Sequence, residues 1–138
     1  MNLEVGKNFN RVTEKAALSV APLIGNEDKM AVDQTAVDAM REAFENISIG
    51  AKVVVGEGEK DQAPSFFLNE QVGRKNKHEI DLAIDPIEGT TFAAKNKPNS
   101  VAVLAGVEAG KMLKVLDMYM DKLVVGPKAN GKVSLNKG

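Results

Sequence analysis

Apolar residues recur along the first quarter of the chain at helical spacing. Phe9, Val12, Ala16, Val20 and Leu23 fall three or four apart, which predicts a helix over about 8–23 with Pro22 near its end. The turn at 25–29 leads into a second helix through about Ile47, with Val37, Met40, Phe44 and Ile47 as its apolar stripe. Periodicity then shortens to two. Residues 52–55 read as a buried strand, and a second strand places Ile80, Leu82 and Ile84 on one face with Glu79, Asp81, Ala83 and Asp85 on the other. Pro86 is expected to end that strand, since it has no N–H to give the ladder. Residues 63–68 read as a turn into an apolar segment, and 73–77 as a polar loop. Further on, 95–100 is a loop, 101–105 and 112–116 are expected to pair across a turn at 106–111, and 123–125 is a short strand ended by Gly126-Pro127. The fold class expected is α/β (α+β), with two N-terminal helices packed on a mainly antiparallel mixed sheet. Residues 1–127 are expected to form a metal-binding domain, and the polar, Gly-, Lys- and Asn-rich stretch 128–138 a linker.

Composition narrows the chemistry. The chain has 138 residues, 43 % hydrophobic and 27 % charged, ordinary values for a globular domain. A net charge of −1 gives no field for a polyanion, and an aromatic content of 4 % without Trp offers no base-stacking surface, so nucleic acid is not expected as a partner. No apolar run approaches the ~20 residues of a membrane span, and no signal peptide is evident, so no membrane partner and a cytoplasmic location are expected. Absence of cysteine excludes disulfides and thiolate ligands. His78, in a polar run, reads as a solvated turn, so any metal would be held by oxygen.

Carboxylates then carry the argument. In Asp85-Pro86-Ile87-Glu88-Gly89-Thr90-Thr91, two acids three apart follow an apolar strand, Gly89 permits a sharp turn, and the threonines offer hydroxyls to cap a helix or orient a water. A strand end with an Asx-type turn and an N-cap explains the same string. Gly56-Glu57-Gly58-Glu59 repeats the pattern after the earlier strand, and glycines on both sides of Glu57 would let its carboxylate turn inward. Asp33 begins the inward face of the second helix. It either meets a cation there, or rests near water in the first turn, where acids suit the helix dipole and Lys29 can pair with it. Asp33, Glu57, Asp85 and Glu88 together would suit two hard divalent ions for phosphoryl displacement, with Thr90 to orient water and Asp61 to accept a proton.

These residues resemble class II fructose-1,6-bisphosphatase, a branch of the metal-dependent, lithium-sensitive-type sugar phosphatases that include the inositol monophosphatases. The likeness rests on Asp85 to Thr90 with Glu57, on Gly56-Glu57-Gly58-Glu59 with Asp61-x-Ala63-Pro64, on Asp117-Met118-Tyr119-Met120-x-Lys122-Leu123, and on Val125-Gly126-Pro127; Glu27-Asp28-Lys29 departs from a Gly-Asp-Lys pattern. The resemblance implies manganese or magnesium held by Asp33, Glu57, Asp85 and Glu88, joined by the Ile87 carbonyl. It also implies sugar phosphate contacts from Glu88, Gly89, Thr90 and Tyr119, and catalytic support from Thr90, Asp61 and Lys29. The family's activity is hydrolysis of fructose 1,6-bisphosphate, in some relatives also sedoheptulose 1,7-bisphosphate, in gluconeogenesis and glycerol metabolism, by a cytoplasmic homo-oligomer. Family members are more than twice as long, and their second half brings a further metal ligand and the cations for the distal phosphate. Impaired activity is therefore expected of this chain alone. The alternatives are a broader phosphomonoesterase of the inositol-phosphatase kind, against which the Met118-Tyr119-Met120 segment speaks, and a non-catalytic piece that binds metal or a partner.

Overall fold

The computed structural model describes residues 3–56, 58, 65–115 and 120–136. Two helices, α1 (Leu3–Val20) and α2 (Lys29–Glu45), cover one face of a four-stranded sheet made of β1 (Ala51–Val55), β2 (Gln71–Val72), β3 (Ile80–Glu88) and β4 (Val101–Glu108). A one-turn helix α3 (Thr90–Ala94) lies between β3 and β4. The strand order is β2-β1-β3-β4; β1 and β3 are parallel, and the two outer pairs are antiparallel. The mixed α/β architecture is the one expected.

The apolar periodicities explain the core. Phe9, Val12, Ala16 and Val20 of α1 and Val32, Ala36, Val37, Met40 and Phe44 of α2 meet Val53, Ile80, Leu82 and Ile84 of the sheet. α1 begins earlier than about residue 8 and yields at Ala21–Leu23 to a 3-10 turn, because Pro22 suits the first positions of a new turn but not a helix interior. Phe66 is fully buried, edge-on to Phe44 at 6.2 Å between centroids, with the Arg41 guanidinium 4.9 Å from its own centroid. Arg41 also grips Glu70 through Nε to Oε1 (2.9 Å) and Nη2 to Oε2 (3.1 Å) and donates to the Ser65 carbonyl, so the segment after β1 is pinned to α2.

Three expectations need correction. Pro86 does not end β3. Asp85 pairs with Val103 and Glu88 with Val101, so three steps on β3 match two on β4, and the extra residue forms a bulge, where a missing N–H is tolerated. Residues 101–105 do not pair with 112–115: β4 pairs with β3 along its length, and 112–115 form no strand, while residue 116 lies outside the described residues. Gly106 lies inside β4 rather than in the turn, paired with Leu82, and it is glycine there because an added Cβ would come 2.4 Å from the Phe9 ring. Likewise 123–125 is not a strand, and the chain runs exposed past a 3-10 turn at Pro127–Ala129 to Asn136.

Candidate active site

Two turns bring α2 and α3 together. Asp28 caps α2 by accepting from Ala31 N at 3.0 Å, and Asn26 Oδ1 accepts from Asp28 N at 3.0 Å. The same turn reaches across to the end of α3: Gly25 N donates to Ala93 O (3.0 Å) and Glu27 N to Ala94 O (2.9 Å). Those bonds fix the first turns of α2 beside α3. Asp33 of α2 therefore lies within electrostatic reach of the Lys29 ammonium and of the Thr90 hydroxyl. Burial pushes the Asp33 carboxyl above its ordinary value, and the Lys29 charge and Thr90 hydroxyl only partly offset this. Of the two readings of Asp33, inward ligand or helix-turn acid paired with Lys29, the geometry has parts of both, because Asp33 is half-buried and has Lys29 beside it.

The turn from β3 into α3 is a left-handed one. Gly89 has φ 81° and ψ 38° and caps α3 with no side-chain bond. Its position is held from behind by Ser100, whose Oγ donates to Gly89 O at 2.8 Å. Neither threonine caps α3, and the Thr90 hydroxyl is left near the Asp33 carboxylate. Asp85 lies in β3 one pair before the bulge, with its Oδ1 shut off from solvent, while Glu88 is exposed at the strand end. Glu57, Asp61 and Tyr119 lie outside the described residues. Among the described residues, no three carboxylate or imidazole groups converge closely enough to hold a metal. The donors that are described fit a hard divalent cation in kind: all are carboxylate oxygens, one desolvated at Asp33 and one sealed from water at Asp85.

Gly56 has a packing reason of its own. A Cβ there would come 2.6 Å from the Phe66 carbonyl, so its presence follows from the close approach of the following segment, whatever Glu57 does.

Sequence reasoning missed a second polar cluster. Asp81, 3 % exposed, is the buried acid of the described core. Burial alone would raise its carboxyl, yet bonds from Met112 N (3.2 Å), His78 Nε2 (2.6 Å) and Gly110 N (2.8 Å) hold it below its ordinary value. An ionised Asp81 only accepts, so His78 Nε2 carries the proton. His78 is thus half-buried and bonded, not a solvated turn. The available signal was an acid inside an apolar strand three residues after the sole histidine.

A helix pair on one side of a four-stranded mixed sheet, with carboxylates, a lysine and a threonine around the β3–α3 turn, defines a two-layer α/β protein. The family model described as bacterial fructose-1,6-bisphosphatase, glpX-encoded, matches residues 3–138, and the chain belongs to that family. It is 44 % identical over 136 residues to fructose-1,6-bisphosphatase 1 class 2 of Escherichia coli (strain K12), covering 99 % of this chain and 40 % of that protein. Similarity to the Haemophilus influenzae class 2 enzyme is 43 % over 136 residues, covering 99 % and 41 %. With the D-fructose 1,6-bisphosphatase class 2/sedoheptulose 1,7-bisphosphatase of Prochlorococcus marinus (strain MIT 9515) it is 41 % over 135 residues, covering 98 % and 40 %. The chain thus spans about two-fifths of the length of these relatives. None of the described helices is long and apolar enough to cross a membrane.

Proposed function

We propose that this chain carries the metal-binding part of a phosphomonoesterase site that converts fructose 1,6-bisphosphate to fructose 6-phosphate and phosphate, with residues 1–127 as the domain and 128–138 as a linker. Sedoheptulose 1,7-bisphosphate is a second candidate substrate, given the name of the Prochlorococcus relative. The observation that carries the reading is the meeting of Asp33, Lys29 and Thr90 beside the turn that follows Asp85. Asp33, Glu57, Asp85 and Glu88, with the Ile87 carbonyl, would hold manganese or magnesium. Such an ion supplies neutralisation of phosphoryl charge and acidifies water near neutral pH.

The chain's own groups do the positioning. Beside Asp33, Thr90 Oγ1 has lone pairs that accept a hydrogen bond from the attacking water and orient it. Lys29 balances the Asp33 charge, Asp61 takes a proton, and Glu88, the Gly89 backbone and Tyr119 contact the sugar phosphate. The role is in gluconeogenesis, in a cytoplasmic homo-oligomer.

Phosphate release should be measured with manganese or magnesium, for wild type and Asp85→Ala, each alone and mixed with the remaining part of a relative. The expected result is slow or no release by the chain alone, and metal-dependent release from the mixture that Asp85→Ala abolishes. Release that persists in EDTA or survives Asp85→Ala overturns the reading. Preference for inositol 1-phosphate over the bisphosphates would move it to the broader phosphomonoesterases.

A further inference from the structure

The face of the sheet opposite the two helices holds a second polar feature. Lys52 of β1 and Asp81 of β3 are register partners, so their side chains leave the same face of the sheet. Around them is a cavity of about 460 Å³, to which Lys52, His78 and Lys114 bring nitrogen and Val54, Leu68 and Val115 bring apolar wall. Asp81 also lines it, but both of its oxygens are already engaged, Oδ1 by His78 and Oδ2 by the Gly110 and Met112 amides. Among the described residues, neither Lys52 nor Lys114 has an ion-pair partner. The cavity therefore presents two lysine charges, and Asp81, the acid that lines it among the described residues, has its acceptors filled by other donors.

We propose that this cavity is an anion site for a small phosphate monoester, its phosphate between Lys52 and Lys114 and its neutral body against Val54, Leu68 and Val115. A dianion suits two ammonium groups arriving from different segments, since each adds a charge-assisted hydrogen bond in a partly enclosed space. Few well-placed polar groups over apolar walls is the usual make-up of a small-ligand pocket. The Asp81 cluster contributes by holding the 110–112 turn, and with it the approach of Lys114, against the sheet. Nothing here depends on metal binding or phosphatase activity.

Amide shifts of the 138-residue chain should be followed by NMR in EDTA, with inorganic phosphate and then phenyl phosphate as probes, against sodium chloride at equal ionic strength. Saturable shifts at Asn69, Gly110 and Lys114 are expected, unchanged in Asp85→Ala and weakened at least about tenfold in Lys52→Ala/Lys114→Ala. Phenyl phosphate should bind several-fold more tightly than inorganic phosphate. Lys114→Ala, on an exposed side chain, serves as a single variant where the double one loses its amide dispersion, and should alone weaken binding several-fold. Shifts reproduced by chloride, shifts centred on Thr90, binding indifferent to the lysines, or equal affinity for the two probes would overturn the proposal.

Discussion

Asp81 and Asp33 are two desolvated carboxylates that the same small fold treats in opposite ways. Burial raises both, but around Asp81 two amides and an imidazole reverse the effect, whereas around Asp33 one ammonium and one hydroxyl do not. The difference lies in what is aimed at each. Asp81 is enclosed by the protein's own donors and holds three segments together, so its charge is structural. Asp33 keeps an unmet electrostatic demand at the mouth of the β3–α3 turn, the condition in which a cation from solution gains most.

The sharpest way to break this comparison is to remove each acid. Asp81→Ala leaves the Gly110 and Met112 amides and His78 facing a void, and should cost roughly 3–5 kcal/mol of stability, read from the urea midpoint. A loss no larger than that of Asp33→Asn would sink the distinction. Next in size is the response to metal. Manganese or magnesium at a hundred times its dissociation constant should stabilise the wild-type chain by about 2.7 kcal/mol and leave Asp33→Asn unmoved in a thermal melt.

Opposite pH signatures sharpen the contrast further. With its carboxyl held low, Asp81 contributes stability that is present above the ordinary aspartate value of about 3.9 and is lost as pH falls through its lowered folded value. Asp33 is raised, so its contribution is full below that ordinary value and disappears as pH rises through the raised one. Stability curves of the two Asn variants should therefore diverge from wild type in opposite directions across the acid range. Smallest of all, Asp33→Asn without metal near neutral pH should shift stability by less than about 1 kcal/mol, and upward, by removing a desolvated charge.

The amino-acid sequence by itself determined the helices, the buried face of the central strand and the loop chemistry around Asp85, because apolar period and turn residues act over a few neighbours. Phe9 to Val20 and Ile80 to Ile84 are core for that reason. Only tertiary structure decided the rest. Whether Pro86 stops a strand or sits in a bulge depends on which strand lies alongside, and β4 continues to pair beyond it. The Thr90 hydroxyl comes near Asp33 because the 25–27 turn ties α2 to the end of α3. His78 read as a solvated turn along the chain, and with Asp81 it became a buried anchor when the amides of Gly110 and Met112, about thirty residues away, folded over the carboxylate. Local pattern sets which side chains want burial. Long-range packing sets which donors reach a buried acid, and so whether it serves the fold or stays available to a cation.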